Sequence, residues 1–267
     1  MELDKSGRHV QAMFGAIAGR YDLLNHVLSG YQDIYWRRRA VRQLCPRPSE
    51  LVLDLCCGTG DLSFELARRQ PRCRIIGADF TVPMLELARE KEPGAAPRDR
   101  PEGHDRPKPG IGWLAADGLQ LPFESGTFDA VCAGFGVRNF SDTVKGVEEM
   151  VRVLKPGGRL MVLEFMRPVA PPVVAMMAVF QRCSGHLGRW ISGQEAAYRY
   201  LPASIGGFWS AREFEALLVK GGLGDVRYFH FSGGIATAFL ARKPRTGTVP
   251  VAGPADFEFQ EKNIKLA

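Results

Sequence analysis

Long uncharged apolar runs are missing from this 267-residue chain. No stretch approaches the roughly eighteen residues that a bilayer-spanning helix needs, and the opening MELDKSGRHV has no apolar core of the kind a secretory leader carries. Both absences point to the cytoplasm. Cysteine pairing is missing as well. Cys45, Cys56, Cys57, Cys73, Cys132 and Cys183 include no C-x-x-C and no nearby His at zinc spacing, which leaves buried or free thiols rather than a metal site or a disulfide framework. A strong excess of one charge is lacking too: the net charge is +6, and the basic residues are scattered apart from Arg37-Arg38-Arg39. Nucleic acid is therefore not demanded as a partner, while anionic lipid headgroups suit the same charge equally well.

What is present is ordinary material for a core, 45% apolar and 24% charged residues. Apolar runs alternate with amphipathic segments, the pattern of an α/β fold with helices on both faces of a mostly parallel sheet. Strands are expected near 50–54, 73–79, 111–116, 127–133, 158–164, 225–231 and 235–241. The Ser232-Gly233-Gly234 turn joins the final two as a hairpin, which makes a seven-stranded sheet with one antiparallel strand. Helices near 9–18, 22–29 and 32–44 precede the first strand, and a helical insertion near 171–200 follows the fifth. Both groups are expected over the carboxyl edge of the sheet, where such folds bind ligands.

Two segments read as unstructured. Glu92 to Gly110 has five Pro, three Gly and eight charged residues with no Val, Ile, Leu or aromatic, too little apolar surface to offset its ordering entropy. The tail over 245–267 is similar.

The turn Cys56-Cys57-Gly58-Thr59-Gly60 closes the first strand and opens a helix. It lacks the third glycine of a dinucleotide fingerprint, because position 63 is Ser, and it lacks the lysine of a phosphate-binding loop. A helix amino terminus receives a negative group, and Asp54 can receive a positive one, so a zwitterion suits the pair better than a pyrophosphate. Asp79 stands nineteen residues after Gly60 at the end of the second strand, placed for ribose hydroxyls. Asp117-Gly118 follows the third strand, where a carboxylate can accept from an adenine amino group. Each acid alone is as readily a turn or cap residue. Their order on successive strand ends points to S-adenosylmethionine, held by Asp54, Gly58, Thr59, Gly60, Asp79, Asp117, Gly118 and, after the fourth strand, Gly134.

The run Tyr21-Asp22-Leu23-Leu24-Asn25, then Ser29 through Trp36, together with Arg152 to Phe165, LPFESGTFDAV at 121–131, FGVRNFSD at 135–142 and YRYLPASI at 198–205, resembles the ubiquinone/menaquinone biosynthesis C-methyltransferase family over about residues 9–243. Asp33 stands where that family has His, Met166 where it has Ser, Gly134 where it usually has Ser, and Cys56 where its turn has Gly or Ala.

The resemblance implies a Rossmann-like class I methyltransferase that methylates a ring carbon of a polyprenyl quinol, demethylmenaquinol first and a methoxybenzoquinol second. Such a carbon becomes nucleophilic when a neighbouring hydroxyl ionises, so the enzyme must stabilise an oxyanion. Arg138 is a fixed cation for that purpose, with Asn139 beside it, and Tyr21 is able to relay a proton to water or to Asp22; the base itself is unassigned. No metal is expected. Residues 1–46 read as a helical substrate cap, 47–244 as the methyltransferase domain and 171–205 as a helical lid whose PPVVAMMAVFQRC either forms a greasy wall for the lipid tail or packs in the core. Phe14, Tyr21, Tyr35, Trp36 and Arg37 to Arg39 suit peripheral contact at the inner face of a membrane. A homodimer is left open, as are methylation of another small molecule at O or N and a non-catalytic subunit of a quinone-synthesis complex.

Overall fold

The structure is a computed structural model and describes residues 7–92, 110–167 and 195–245. Most of the 92–110 loop, the insertion over 171–194 and the tail beyond 245 lie outside the described residues. Seven strands form one sheet in the order β3-β2-β1-β4-β5-β7-β6. They are β1 Leu51–Leu55, β2 Arg74–Asp79, β3 Ile111–Ala115, β4 Phe128–Gly134, β5 Leu154–Phe165, β6 Gly224–Phe231 and β7 Ala236–Arg242. β1 to β5 pair in parallel, and β7 runs antiparallel to both β5 and β6. The expected single antiparallel strand is thus β7, inserted between its hairpin partner β6 and β5.

The sheet forms because its central strands are apolar on both faces, the mark of a doubly covered sheet. Leu53, Leu55, Val131 and Ala133 point to one side, where they meet Met150 of α6 (Thr143–Val153) and Phe214 of the helix Ala211–Lys220. Val52, Ala130 and Cys132 point to the other, against Trp36 and Leu44 of α3 (Gln32–Leu44) and Leu66 of α4 (Asp61–Arg69). Alternation along each strand therefore decides which helix layer a side chain meets.

β5 begins at Leu154, four residues before the expected start at 158. Leu154 pairs with Phe128, and the ladder then shifts so that Arg159 pairs with Ala130; Gly157 sits at φ +79 inside that irregularity, a conformation glycine adopts at no steric cost. The helix α6 starts where Asp142 accepts a hydrogen bond from the Lys145 amide at 3.0 Å, and a reciprocal Ser210–Glu213 box starts the helix Ala211–Lys220.

Among the described residues three α-helices precede β1, α1 Gly7–Ile17, α2 Tyr21–Ser29 and α3, with a 3-10 turn at Ala18–Arg20 between the first two. Trp36 anchors α3, buried against Phe135 and Phe165 with its indole N–H donating to Ser232 Oγ at 3.0 Å. No helix among the described residues is long and apolar enough to cross a membrane.

Phe239 is fully buried in β7, in ring contact with Phe214 and Tyr228. Phe239→Ala is expected to cost about 3–5 kcal/mol, read as a lowered urea midpoint with an unchanged slope. A loss under about 1 kcal/mol would contradict this packing.

Candidate active site

The turn after β1 takes its shape from left-handed residues, Cys56 at φ +56, Gly58 at +54 and Gly60 at +87. A Cβ on Gly60 would lie 2.7 Å from the Trp113 ring, so glycine is required there by space as well as by conformation. Asp79 holds the turn from the next strand. One of its oxygens accepts from the Gly58 amide at 2.8 Å and the other from the Thr81 amide at 2.8 Å, just before α5 (Val82–Lys91). Burial pushes the Asp79 carboxyl up, and these amide donors pull it back down.

Above the carboxyl ends of β1, β2 and β4 lies a cavity of about 200 Å³. Of the residues singled out from sequence, Gly58, Asp79, Asp117, Gly118, Gly134, Asn139 and Tyr21 line it. Cys56, Phe80 and Met84 line it too and were not singled out as site residues. Cys56 is reached because the next loop crosses it closely: a Cβ on Gly136 would fall 2.2 Å from Cys56 Cβ.

Asp54, Thr59 and Gly60 line neither this cavity nor its neighbour. Asp54, placed from sequence at the open end of the strand, is instead fully buried on the face that α4 covers. Ser63 Oγ donates to it at 2.6 Å, and Cys132 Sγ lies 3.8 Å away. The strand runs one residue further than expected, to Leu55, and Asp54 lies within it on the face of Val52, which α3 and α4 cover. Burial drives its carboxyl up to about 7 against the opposing pull of Ser63. Thr59 is turned towards the amino-terminal helices, where its hydroxyl donates to Asp22 at 2.5 Å.

That contact begins a chain of charges joining the amino-terminal helices to the turn. Lys91 Nζ reaches Asp22 at 2.7 Å and Asp61, the first residue of α4, at 2.8 Å. Arg37 lies 3.4 Å from Asp61 and pairs with Asp33, whose carboxylate is also 2.8 Å from His26 Nδ1. Burial of Asp33 works against its ionisation, but Arg37, Ser29 and His26 together hold its carboxyl below the ordinary range. His26, Asp33 and Asp61 gather closely enough for a cation, and the Arg37 guanidinium is the cation that pairs with both acids.

A second cavity, of about 340 Å³, adjoins the first and shares Tyr21 and Phe135 with it. Its polar lining includes Asn25, Ser29, Asp33, Arg37 and Arg138, and its apolar lining Trp36, Phe165, Leu201 and Ile205. Arg138 is buried and clamped: Nη1 donates to Glu164 Oε1 at 2.7 Å and to the Phe135 carbonyl, while Glu164 Oε2 accepts from the Arg138 amide at 3.1 Å. Its Nη2 has no partner among the described residues. Asn139 accepts from the Tyr200 hydroxyl at 3.1 Å. Burial raises the Tyr21 phenol above its ordinary range, Arg138 and Asn25 opposing, so Tyr21 stands protonated at neutral pH. Asp22, the proton relay expected for Tyr21, is occupied with Thr59 and Lys91. Glu164 had no role in the sequence reading; its local signal was an acid in the apolar run 160–165.

A sequence model of the ubiE/COQ5 methyltransferase family matches residues 2–243. The demethylmenaquinone methyltransferase of Thermus thermophilus is 42% identical over 233 residues, covering 87% of this chain and 100% of that protein. The ubiquinone/menaquinone biosynthesis C-methyltransferase UbiE of a Geobacter species is 38% identical over 247 residues, 90% of this chain and 99% of that one. Among solved structures, a SAM-dependent methyltransferase of Thermotoga maritima superposes with a TM-score of 0.60 at 16% identity, covering 87% of this chain and 99% of that chain; this likeness is one of fold.

Because Asp54 has a folded-state value of about 7 against an ordinary 3.8, its stabilising contribution is complete below about pH 4 and is lost as pH rises through 7. Asp54→Asn, uncharged throughout, is expected to gain on the native chain by roughly 2–4 kcal/mol between pH 4 and pH 8. Paired urea titrations check this, and a gap that stays constant with pH would reject it.

Proposed function

The chain belongs to the ubiE/COQ5 methyltransferase family, and from that premise we propose that it transfers the methyl group of S-adenosylmethionine to a ring carbon of a polyprenyl quinol. Demethylmenaquinol is the first choice of acceptor and a methoxybenzoquinol the second. The observation that carries this reading is the pair of cavities meeting at Tyr21 and Phe135, since a two-substrate transfer needs adjoining pockets with one common wall.

The first cavity suits the cofactor by its donor set. Asp79 offers a carboxylate to ribose hydroxyls, the turn around Gly58 offers amides to the methionyl carboxylate, and Phe80 and Met84 offer apolar surface to the adenine beside Asp117 and Gly118. Glycine at 118 keeps that wall clear, because a Cβ there would lie 2.8 Å from Phe140. Asp54 and Thr59 support the turn from behind. When bound, the cofactor supplies an electrophilic methyl group on a sulfonium.

The second cavity suits a hydroquinone. Glu164 fixes the Arg138 guanidinium, and that clamp leaves Nη2 to face a developing phenolate. A preoriented cation in a site shut off from water stabilises such charge strongly, at no reorganisation cost during the reaction. The Tyr21 phenol donates a hydrogen bond at the shared wall, and Asn139, held by Tyr200, orders the neighbouring loop. The ring rests against the wall that Trp36 and Phe165 form together, and residues 1–46 serve as its cap. The outer faces of α2 and α3 expose Leu23, Val27, Tyr31 and Tyr35, with Arg39 stacked 5.9 Å over the Tyr35 ring, a surface suited to resting on the membrane that holds the lipid.

Labelled-methyl transfer to reduced short-chain quinols tests the activity. Arg138→Ala is expected to lower the rate by about a hundredfold or more with near-normal cofactor binding, and Arg138→Lys to recover part of it; an unchanged rate would reject the oxyanion role. Asp79→Ala is expected to weaken cofactor binding in calorimetry by roughly ten- to a hundredfold, and unchanged binding would contradict the placement of the cofactor.

A further inference from the structure

A third cavity, of about 220 Å³, opens at the amino-terminal edge of the sheet. Arg159 lines it near the start of β5 and Phe165 lines the second cavity at the end of the same strand, so some 20 Å separate the two sites at about 3.3 Å per residue. Four arginines line the third cavity, Arg47, Arg159, Arg227 and Arg242, with Asp225 and Cys45 beside them.

Strand register explains how they meet. Arg159 and Arg242 are direct partners across the antiparallel β5–β7 pair, so their side chains leave the same face. Arg227 pairs with Leu240, two residues from Arg242, and joins that face from β6. Arg47 arrives from the segment after α3, whose last residue, Leu44, also borders the cavity. Like charges directly opposite on a sheet are destabilising, and local acids do not cancel these. Glu50 takes Arg159, Asp129 also feels that guanidinium although Lys155 pairs with it, and Asp225 stands among the rest, so the four arginines still outnumber the acids around them.

Arg159 adds an independent sign. It is nine-tenths buried, and Glu50 grips its guanidinium end-on, through Nη1 at 3.0 Å and Nη2 at 2.5 Å. That grip leaves the side edge of the fork unused. Its Nε is the one buried side-chain nitrogen or oxygen without a hydrogen-bond partner among the described residues, an omission that costs about 1–3 kcal/mol. The guanidinium groups of Arg47, Arg227 and Arg242 form no ion pair among the described residues. Guanidinium forks match tetrahedral oxyanions in charge and geometry.

We infer that this arginine basket binds a phosphate-type oxyanion, supplied either by a soluble phosphate compound or by an anionic phospholipid headgroup. The site is separate from the methyl-transfer machinery, so its occupancy is read by binding alone. Arg227 and Arg242 are exposed at the rim, and the double variant Arg227→Ala/Arg242→Ala keeps the core intact.

The test uses the full chain at constant ionic strength. Calorimetry with inorganic phosphate and with pyrophosphate, against a chloride blank, probes the soluble source. Co-sedimentation with phosphatidylglycerol vesicles, against phosphatidylcholine vesicles, probes the headgroup. Saturable binding of a phosphate probe, weakened at least tenfold in the double variant and unchanged by Arg68→Ala on α4, supports a soluble ligand. Vesicle binding lost in the double variant, without capture of free phosphate, supports the headgroup. No binding in either arm, or binding that the double variant leaves unchanged, overturns the inference.

Discussion

The carboxylate of Asp79 is the point from which the site is strung. Its two oxygens take the Gly58 amide and the Thr81 amide, so one side chain fixes both the turn after β1 and the entry to α5. Without it, the turn would keep only its backbone hydrogen bonds, such as Cys57 N–H to the Ala78 carbonyl and Gly60 N–H to the Cys57 carbonyl. The carboxyl is also pushed up by burial, so the same geometry that organises the backbone leaves the group ready for further donors.

From that point outward the structure is tied together by charge. Asp22, Lys91, Asp61, Arg37, Asp33 and His26 form an unbroken series of contacts from α2 and α3 to the start of α4 and the end of α5. The members are partly buried, so these pairs are worth more than exposed ones. They hold the amino-terminal helices over the two cavities. Arg138 and Glu164 do the equivalent work inside, where a lone buried charge of either sign would be costly.

Much of the fold was legible because its signals are local. Seven strands, the hairpin at Ser232 to Gly234 and the three leading helices all followed from apolar period and turn residues. Asp79, Asp117, Gly118 and Gly134, picked out by their positions at strand ends, line one cavity. The pairings were not legible. Asp54 looked like a ligand from its place at the end of the strand, yet it lies inside β1 on the face of Val52, where Ser63 and Cys132 reach it from other elements. Glu164 lies 26 residues from Arg138, and Thr59 lies 37 from Asp22; no short pattern joins partners so far apart.

The crossing of Cys56 and Gly136 limits what either position can hold. The volume filled by the Cys56 side chain is volume that Gly136 leaves free, since a Cβ on the latter would clash with the former at 2.2 Å. The two positions behave as one compartment with room for a single side chain. A turn bearing Gly at 56 releases space for Ala at 136, whereas enlarging 136 alone would push the loop that carries Arg138 away from Glu164. Substitutions in the turn after β1 and in the loop that carries Arg138 are therefore coupled by packing.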